Sequence, residues 1–345
     1  MPKVSIIIPA RNRVTILVES LKSIARQSYP TEECEVVVVD DGSTDETVIQ
    51  IHANDYPFRL VFARLDAVEK FCPARPRNQG LSLASGEIVI FLDADILCSS
   101  ELISQHVAAH EQNDKPRAVI GYTYGFPADP ADRTPEAMNP PPPHLLLEIL
   151  PSLITADPQH WGDSREQIYA SSRDLIDHPM PWQVFWTNNV SLPRRLALDI
   201  GGFDEEFTGW GIEDIEFAYR LFQCGVVFTL SRKAWGVHYP HRDHDLNKRS
   251  LEMEINCRRL IRKHPNLKLE VSVWAWESAG PIWTALEGLR LSSVCFDSKG
   301  LETTSALLGQ LKMQAFVPGP ILWCGDAPEA LTAALSPAVC CWPSA

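Results

Sequence analysis

With 345 residues, 45% of them hydrophobic, the chain can fill the core of one large domain or two modest ones. A formal net charge of -13 excludes a nonspecific grip on a nucleic-acid backbone or an anionic membrane, so any bound phosphate must meet a local site. The start, MPKVSIIIPARN, has too short an apolar run for a signal peptide, and no integral membrane segment of ~18 uninterrupted apolar residues follows, so the expected compartment is the cytoplasm. The nine cysteines lack paired zinc-type spacing and are expected to be reduced thiols.

The first 120 or so residues alternate strand-like and helix-like runs. VSIIIP, CEVVVVDD, RLVFARL, EIVIFLDAD and AVIGYTYGF read as strands; TILVESLKSIARQ, TDETVIQIHA and SELISQHVAAHEQ read as helices, with a further helix expected around RPRNQGLSLA. Near-continuous valine and isoleucine runs separated by helices predict an α/β fold with a mainly parallel central sheet covered on both faces. Ligands of such sheets sit beyond the carboxyl ends of strands, where Pro9 to Asn12, Asp40 to Ser43 and Asp93 to Asp95 fall.

From Phe126 to Pro181 proline and polar residues dominate, which predicts a long loop system with short helices. Regular structure resumes at VFWTNNVSLPRR, and a dense apolar rhythm from LEVSVWAW to AVCCW predicts a small α/β appendage. The expected division is 1–125 for a nucleotide-binding half, 126–181 for the proline-rich region, 182–266 for an acceptor half and 267–345 for the appendage.

Six stretches carry candidate chemistry. SIIIPARNR ends a buried strand at Pro9 and Ala10 and turns polar at Arg11 and Asn12, which suits a flat base seated in a crevice. In CEVVVVDDGSTDETV, Gly42 allows a sharp turn and Ser43 or Thr44 can cap the next helix. Capping leaves Asp40 and Asp41 unexplained; one of them can accept hydrogen bonds from a base N–H or ribose hydroxyls. Arg75 and Arg77, just ahead of a predicted helix, offer planar forks that match a phosphate or a base carbonyl. In FLDAD, Asp93 and Asp95 stand one residue apart where an apolar strand leaves the core, a place where aspartates commonly terminate strands and cap helices.

GWGIEDIEF sets Glu213 and Asp214 in the first turn of a helix whose buried face carries Ile215, Tyr219 and Phe222 and whose stop is Gly225. Acids there complement the helix dipole, which favours their ionised form. Gly209 and Gly211 around Trp210 make a bend able to present a ring to a sugar. In AWGVHYPHRDH, Pro240 argues against a helix and hence against a cage of His238, His241 and His244, while one histidine joining carboxylates around a divalent cation stays open.

SIIIPARNR, VVVDDGSTDET, ARPRNQG and FLDAD, in this order and spacing, resemble the family 2 glycosyltransferases of GT-A fold over residues 1 to about 120. The stretch from TNNVSLPRR to FQCG resembles the acceptor-side segment of chondroitin-polymerase-like enzymes, polypeptide N-acetylgalactosaminyltransferases and β-1,4-galactosyltransferases, extending the likeness to about residue 245. The appendage lies outside it.

The resemblance implies a Rossmann-like GT-A sheet and inverting transfer of a sugar from a nucleotide sugar, uridine-linked, to a glycan or other hydroxyl-bearing acceptor. It implies Mn²⁺ or Mg²⁺ held by Asp95 and His238, with Asp93 on ribose hydroxyls or a metal-bound water. Pro9, Ala10, Arg11, Asn12, Asp40, Asp41, Arg77, Asp93 and Ala94 would line the nucleotide sugar. Asp214 would be the general base, Glu213 would hydrogen-bond the acceptor, and Trp210 and Gly211 would contact it. No nucleic-acid partner is expected; a protein contact through the appendage is. Two rival readings are a catalytically retired glycan-binding or partner-binding module and a nucleotidyltransferase, though PARNRVT lacks the glycine-rich basic loop expected of the latter.

Overall fold

The structure, a computed structural model, describes residues 2–111, 115–127, 130–176, 178–241, 246–266, 269, 321–324 and 339–342. The chain divides into two compact units, Met1–Leu260 and Ile261–Ala345. The first unit begins β1 (Val4–Ala10), α1 (Val14–Ile24), β2 (Cys34–Asp41), α2 (Thr47–His52), β3 (Arg59–Leu65), α3 (Ala74–Leu83), β4 (Ile88–Leu92), β5 (Ile96–Cys98), α4 (Leu102–Glu111) and β6 (Arg117–Tyr124). The middle region holds α5 (Pro135–Met138), α6 (Pro143–Ala156), α7 (Pro158–Trp161) and α8 (Glu166–Ser171). Then come β7 (Asn189–Pro193), α9 (Arg194–Asp199), α10 (Glu213–Gln223), β8 (Val227–His238) and α11 (Leu246–Lys263).

The eight strands form one sheet in the order β3-β2-β1-β4-β7-β6-β8-β5. β1 runs parallel to β2 and β4, β2 to β3, and β6 to β8, while β7 is antiparallel to both β4 and β6, and β5 to β8. The sheet is therefore mixed, with a parallel majority. Val36 to Val39 are all fully buried because helices cover both faces. On one face Ile6, Ile8, Val36, Val38 and Ile90 pack with Leu17, Leu21 and Ile24 of α1. On the other, α3 approaches so closely that a Cβ at Gly80 would stand 2.3 Å from Ile7 Cγ2.

Two expectations need correcting. The strand expected to run through Asp95 stops at Leu92, and Ile96 N–H donates to Asp93 O at 3.2 Å, so Asp93 to Asp95 form a turn between β4 and β5. The proline-rich region is largely helical, including the 14-residue α6. Pro135, Pro143 and Pro158 each open a helix, where a missing N–H costs nothing. Leu146 and Leu150, one turn apart on α6, bury against Met138, Trp161, Leu97 and Val237, which holds α6 together around Pro151.

In the second unit, β9 (Ile321–Cys324) and β10 (Val339–Trp342) pair in parallel. The remaining strands and helices expected beyond residue 267 lie outside the described residues. No helix among the described residues is long and apolar enough to cross a membrane. Cys34, Cys72, Cys98, Cys224 and Cys257 are free thiols.

Candidate active site

Three clusters of charged side chains gather where β1, β2 and β4 end. At the first, the loops after β1 and β2 are stitched together: Asn12 N–H donates to Ser43 Oγ at 2.9 Å, and Thr44 N–H donates to Asn12 Oδ1 at 2.7 Å. Gly42 makes the turn at φ +72°, with Ala67 backbone and Cβ only 2.8 Å from where a side chain would begin. Asp40 and Asp41 are not in that turn: they are the last two residues of β2, both buried. Ser43, expected as a helix cap, instead serves Asn12, and α2 begins only at Thr47.

Asp40 accepts from Ser43 N–H at 3.0 Å and lies 3.5 Å from Arg64 Nε. Asp41 turns to the opposite side, between two guanidinium groups: Arg11 at 3.7 Å from Oδ2 and Arg75 at 3.8 Å from Oδ1. Neither carboxylate oxygen of Asp41 has a hydrogen-bond donor among the described residues. Burial raises its pKa against the pull of the two arginines. Pro9 and Ala10 close β1 beside Val39 and Asp40.

The second cluster centres on Arg77. Arg75 and Arg77, expected ahead of a helix, belong to the first turn of α3 itself. Arg77 is buried and bridges two carboxylates, donating to Glu213 Oε1 at 2.8 Å and to Asp93 Oδ1 at 3.4 Å. Glu213 and Asp214 open α10 after Ile212, a β-branched residue at φ +78°, flanked upstream by Gly209 at φ +83° and Gly211 at φ +85°. Such a backbone is strained, and it turns the helix start toward Arg77. Ile215 N–H donates to Asp214 Oδ1 at 2.8 Å, and the Thr187 N–H also faces this carboxylate.

The helix end does not decide the ionisation of Asp214. Burial, reinforced by the neighbouring Glu213 charge, pushes its pKa up to about 7, whereas Arg77 and the two backbone N–H groups oppose the rise. The dipole argument anticipated a carboxylate favoured in its ionised form; desolvation outweighs it. Burial likewise raises Glu213 and Asp93, with Arg77 pulling both down.

The third cluster joins Asp95, His238 and His241. Ile96 pairs with His238 across β5 and β8, and Tyr239 N–H donates to Asp95 O at 2.8 Å, so the end of β8 is bound to the turn after β4. Asp95 Oδ2 lies 3.9 Å from His238 Nε2 and 3.2 Å from His241 Nδ1. One ligand atom from each of the three lies within 4.8 Å of the others. Asp95 Oδ1 is buried with no donor among the described residues. A carboxylate with two imidazoles fits a divalent transition cation. Sequence reasoning put His238 there and left His241 unassigned; the signal was its spacing of three from His238, which a strand end followed by Pro240 brings together without a helix. His244 lies outside the described residues.

Asp93 belongs to the Arg77 cluster, and Asp95 and His241 both act on its charge, so the second and third clusters meet at the turn. Ala94, buried between the two aspartates, adds no bulk. Trp210 is held by α11, a helix that the sequence reading did not single out. Trp210 N–H donates to Glu252 Oε2 at 3.0 Å, and the Arg249 guanidinium lies 5.3 Å over its ring. Asn256 Nδ2 donates to Thr208 O at 3.2 Å and Gly211 O at 2.9 Å, and Arg259 fixes the Asn256 carbonyl at 2.7 Å.

The chain is similar to known proteins along most of its length. The glycosyl transferase family 2 profile matches residues 5–163, and a profile described as the N-terminal domain of galactosyltransferase matches residues 168–245. The validoxylamine A glucosyltransferase of Streptomyces hygroscopicus subsp. jinggangensis is 38% identical over 297 residues, 84% of this chain and 67% of that protein. This chain thus spans about two thirds of that relative's length. Glycosyltransferase YfnE of Bacillus subtilis is 31% identical over 77% of this chain and 71% of its own.

Among solved structures, the mannosyltransferase PcManGT of Pyrobaculum calidifontis, in complex with GDP-Man and Mn²⁺, aligns with a TM-score of 0.54 at 20% identity. The match covers 92% of this chain and 81% of that one. Staphylococcus aureus TarS 1-349 aligns with a TM-score of 0.55 at 18% identity, over 90% of this chain and 80% of its own. These two likenesses show the GT-A fold. The family 2 profile and the sequence relatives establish that the chain belongs to glycosyltransferase family 2.

Proposed function

We propose that this chain transfers a sugar from a uridine-diphosphate sugar to an acceptor hydroxyl, in one displacement that inverts the anomeric carbon, with a divalent cation at Asp95, His238 and His241. The observation that carries the reading is the division of labour at one turn, where Asp93 faces Arg77 and Glu213 while Asp95 faces two histidines.

Uridine is supported by the chemistry around Asp41. Uracil presents a carbonyl, an N–H and a second carbonyl along one edge. Asp41 supplies an acceptor for the N–H, and Arg11 and Arg75, one beside each carboxylate oxygen, supply donors for the two carbonyls. Guanine, with one carbonyl and two N–H donors on the corresponding edge, suits that order less well. Pro9, Ala10, Arg11, Asn12 and Asp40 shape the rest of this end, and TarS, one of the structural neighbours, is known in complex with UDP-GlcNAc.

Asp214 takes the proton from the attacking hydroxyl; a base near 7 combines a large ionised fraction with driving force for the transfer. Arg77 holds Glu213 in place to accept from the acceptor, and Trp210 with Gly211 gives the acceptor a surface. When bound, a divalent cation offsets negative charge on the leaving diphosphate. Arg77 and Asp93 keep the sugar end of the donor oriented, with Ala94 leaving space for phosphate. In the test, UDP binding is measured by titration calorimetry with and without Mn²⁺ in the parent and in Asp95→Ala. The parent is expected to bind at least ~10-fold tighter with Mn²⁺, and the variant to lose that gain. Equal Mn²⁺-dependent affinity in both would refute the metal assignment.

A further inference from the structure

The turn leading into β7 contains a buried amide with nothing to bond. Asn188 is 3% exposed, and neither Oδ1 nor Nδ2 has a hydrogen-bond partner among the described residues. Its neighbour Asn189 is the opposite case. Its Oδ1 meets His106 Nε2 at 2.9 Å, and its Nδ2 donates to Tyr122 O and Ala234 O. A primary amide offers two donors and a carbonyl acceptor, and enclosing it unpaired is unfavourable where an apolar side chain would fit without penalty.

The backbone on either side of the amide belongs to the site. Asn188 O accepts from Asp93 N–H at 3.2 Å, and the N–H of Thr187 faces the Asp214 carboxylate. Asn189 is paired with Leu92 and directs its side chain to the α4 face of the sheet, where His106 lies. Asn188 stands in the turn immediately before β7, one residue ahead of the Asn189–Leu92 pair. The backbone around Asn188 thus lies between Asp93, which orients the sugar end of the donor in the reading above, and Asp214, on the acceptor side. In an inverting transfer the sugar ring lies between those two sides.

We propose that Asn188 is the residue that reads the hydroxyl pattern of the transferred sugar, its missing hydrogen-bond partners arriving with the donor. This rests on the glycosyl-transfer reading above. A ring hydroxyl both donates and accepts, so one amide can hold two neighbouring hydroxyls and distinguish epimers that place one of them differently. Sites built to hydrogen-bond a hydroxyl discriminate strongly because a wrong substrate leaves their polar groups unpaired.

The experiment compares the full-length parent with Asn188→Ala and the isosteric Asn188→Asp, each confirmed folded by an unchanged melting profile. Titration calorimetry in Mn²⁺ measures UDP, UDP-glucose, UDP-galactose, UDP-N-acetylglucosamine and GDP-mannose. In the parent, one UDP-sugar should bind at least ~10-fold tighter than its epimer. Both variants should bind UDP within twofold of the parent while that preference collapses to within about twofold. A preference retained in both variants overturns the assignment, and so does a loss of UDP affinity equal to the loss for the sugars, which would mark Asn188 as a backbone prop for Asp93. A parent that binds none of the five nucleotides overturns the donor reading itself, and this inference with it.

Discussion

The base role proposed for Asp214 places two opposed demands on one carboxyl group. Base catalysis near neutral pH asks for a pKa close to 7, and burial supplies it by making the ionised form unfavourable. Transfer should therefore rise with pH through about 7 and level off above it, as a profile of kcat at saturating donor will show. Asp214→Asn should lower turnover by ~10²-fold or more with donor affinity within twofold; retained turnover alongside a loss in Glu213→Gln would move the base to Glu213. Stability carries the reverse sign. Because the folded pKa lies above the ordinary carboxylate value of 3.8, the folded state loses stability as pH climbs from about 4 through about 7. The Tm of Asp214→Asn minus that of the parent should accordingly grow over that window, by a few degrees. The positions of Glu213 and Asp214 were legible from the glycines around Trp210 and the helix that follows. The direction of the shift was not, because a sequence displays the helix dipole and conceals how deeply the first turn is buried. His241 escaped for a related reason: a histidine spacing interrupted by proline has no meaning until a strand end folds back on a particular carboxylate.

At the scale of elements, α4 is fastened to β7 by two buried histidines that desolvation keeps neutral. His106 bonds Asn189 through Nε2 and Ser191 through Nδ1, and His110 Nε2 bonds the same serine hydroxyl at 2.8 Å. Burial drives His106 down to about 4 and His110 down to about 3. A lowered histidine contributes stability that is full above about 6.5 and is lost as pH falls toward the folded value. For His106 this amounts to at most about 3 kcal/mol. His106→Gln should lower Tm at pH 7.5 yet flatten its decline between pH 6.5 and 4.5; thermal denaturation curves that stay parallel to the parent's would refute the linkage. β1, β2 and β4 were readable because strands covered on both faces need unbroken apolar runs, and Val36 to Val39 provide one. The middle region misled because proline reads as a breaker, whereas Pro135, Pro143 and Pro158 all stand at helix starts, a distinction decided by the buried leucines that follow in α6. The turn at Asp93 was hidden too: nothing local marks Leu92 as the last paired residue.

Across the whole molecule, the alternation of strands and helices announced an α/β sheet, but not its order. β7 enters between β4 and β6, antiparallel to both, about a hundred residues after β4 in the chain. That long-range insertion brings Asn188 to Asp93, and no periodicity records it. If the Trp210 loop meets the acceptor as proposed, the grip of α11 on it has a further consequence for how acceptor preference can change hands between related enzymes. Asn256 holds the carbonyls of Thr208 and Gly211, and Glu252 holds the Trp210 N–H, so the loop's shape is stored partly in a helix some forty residues downstream. On that reading, loop and helix have to be exchanged together. A chimera receiving Phe207 to Gly211 alone should keep slow hydrolysis of the donor in water and lose transfer to the acceptor native to the loop. One that also receives Arg249 to Arg259 should regain it, and recovery with the loop alone would show that the loop carries its own conformation.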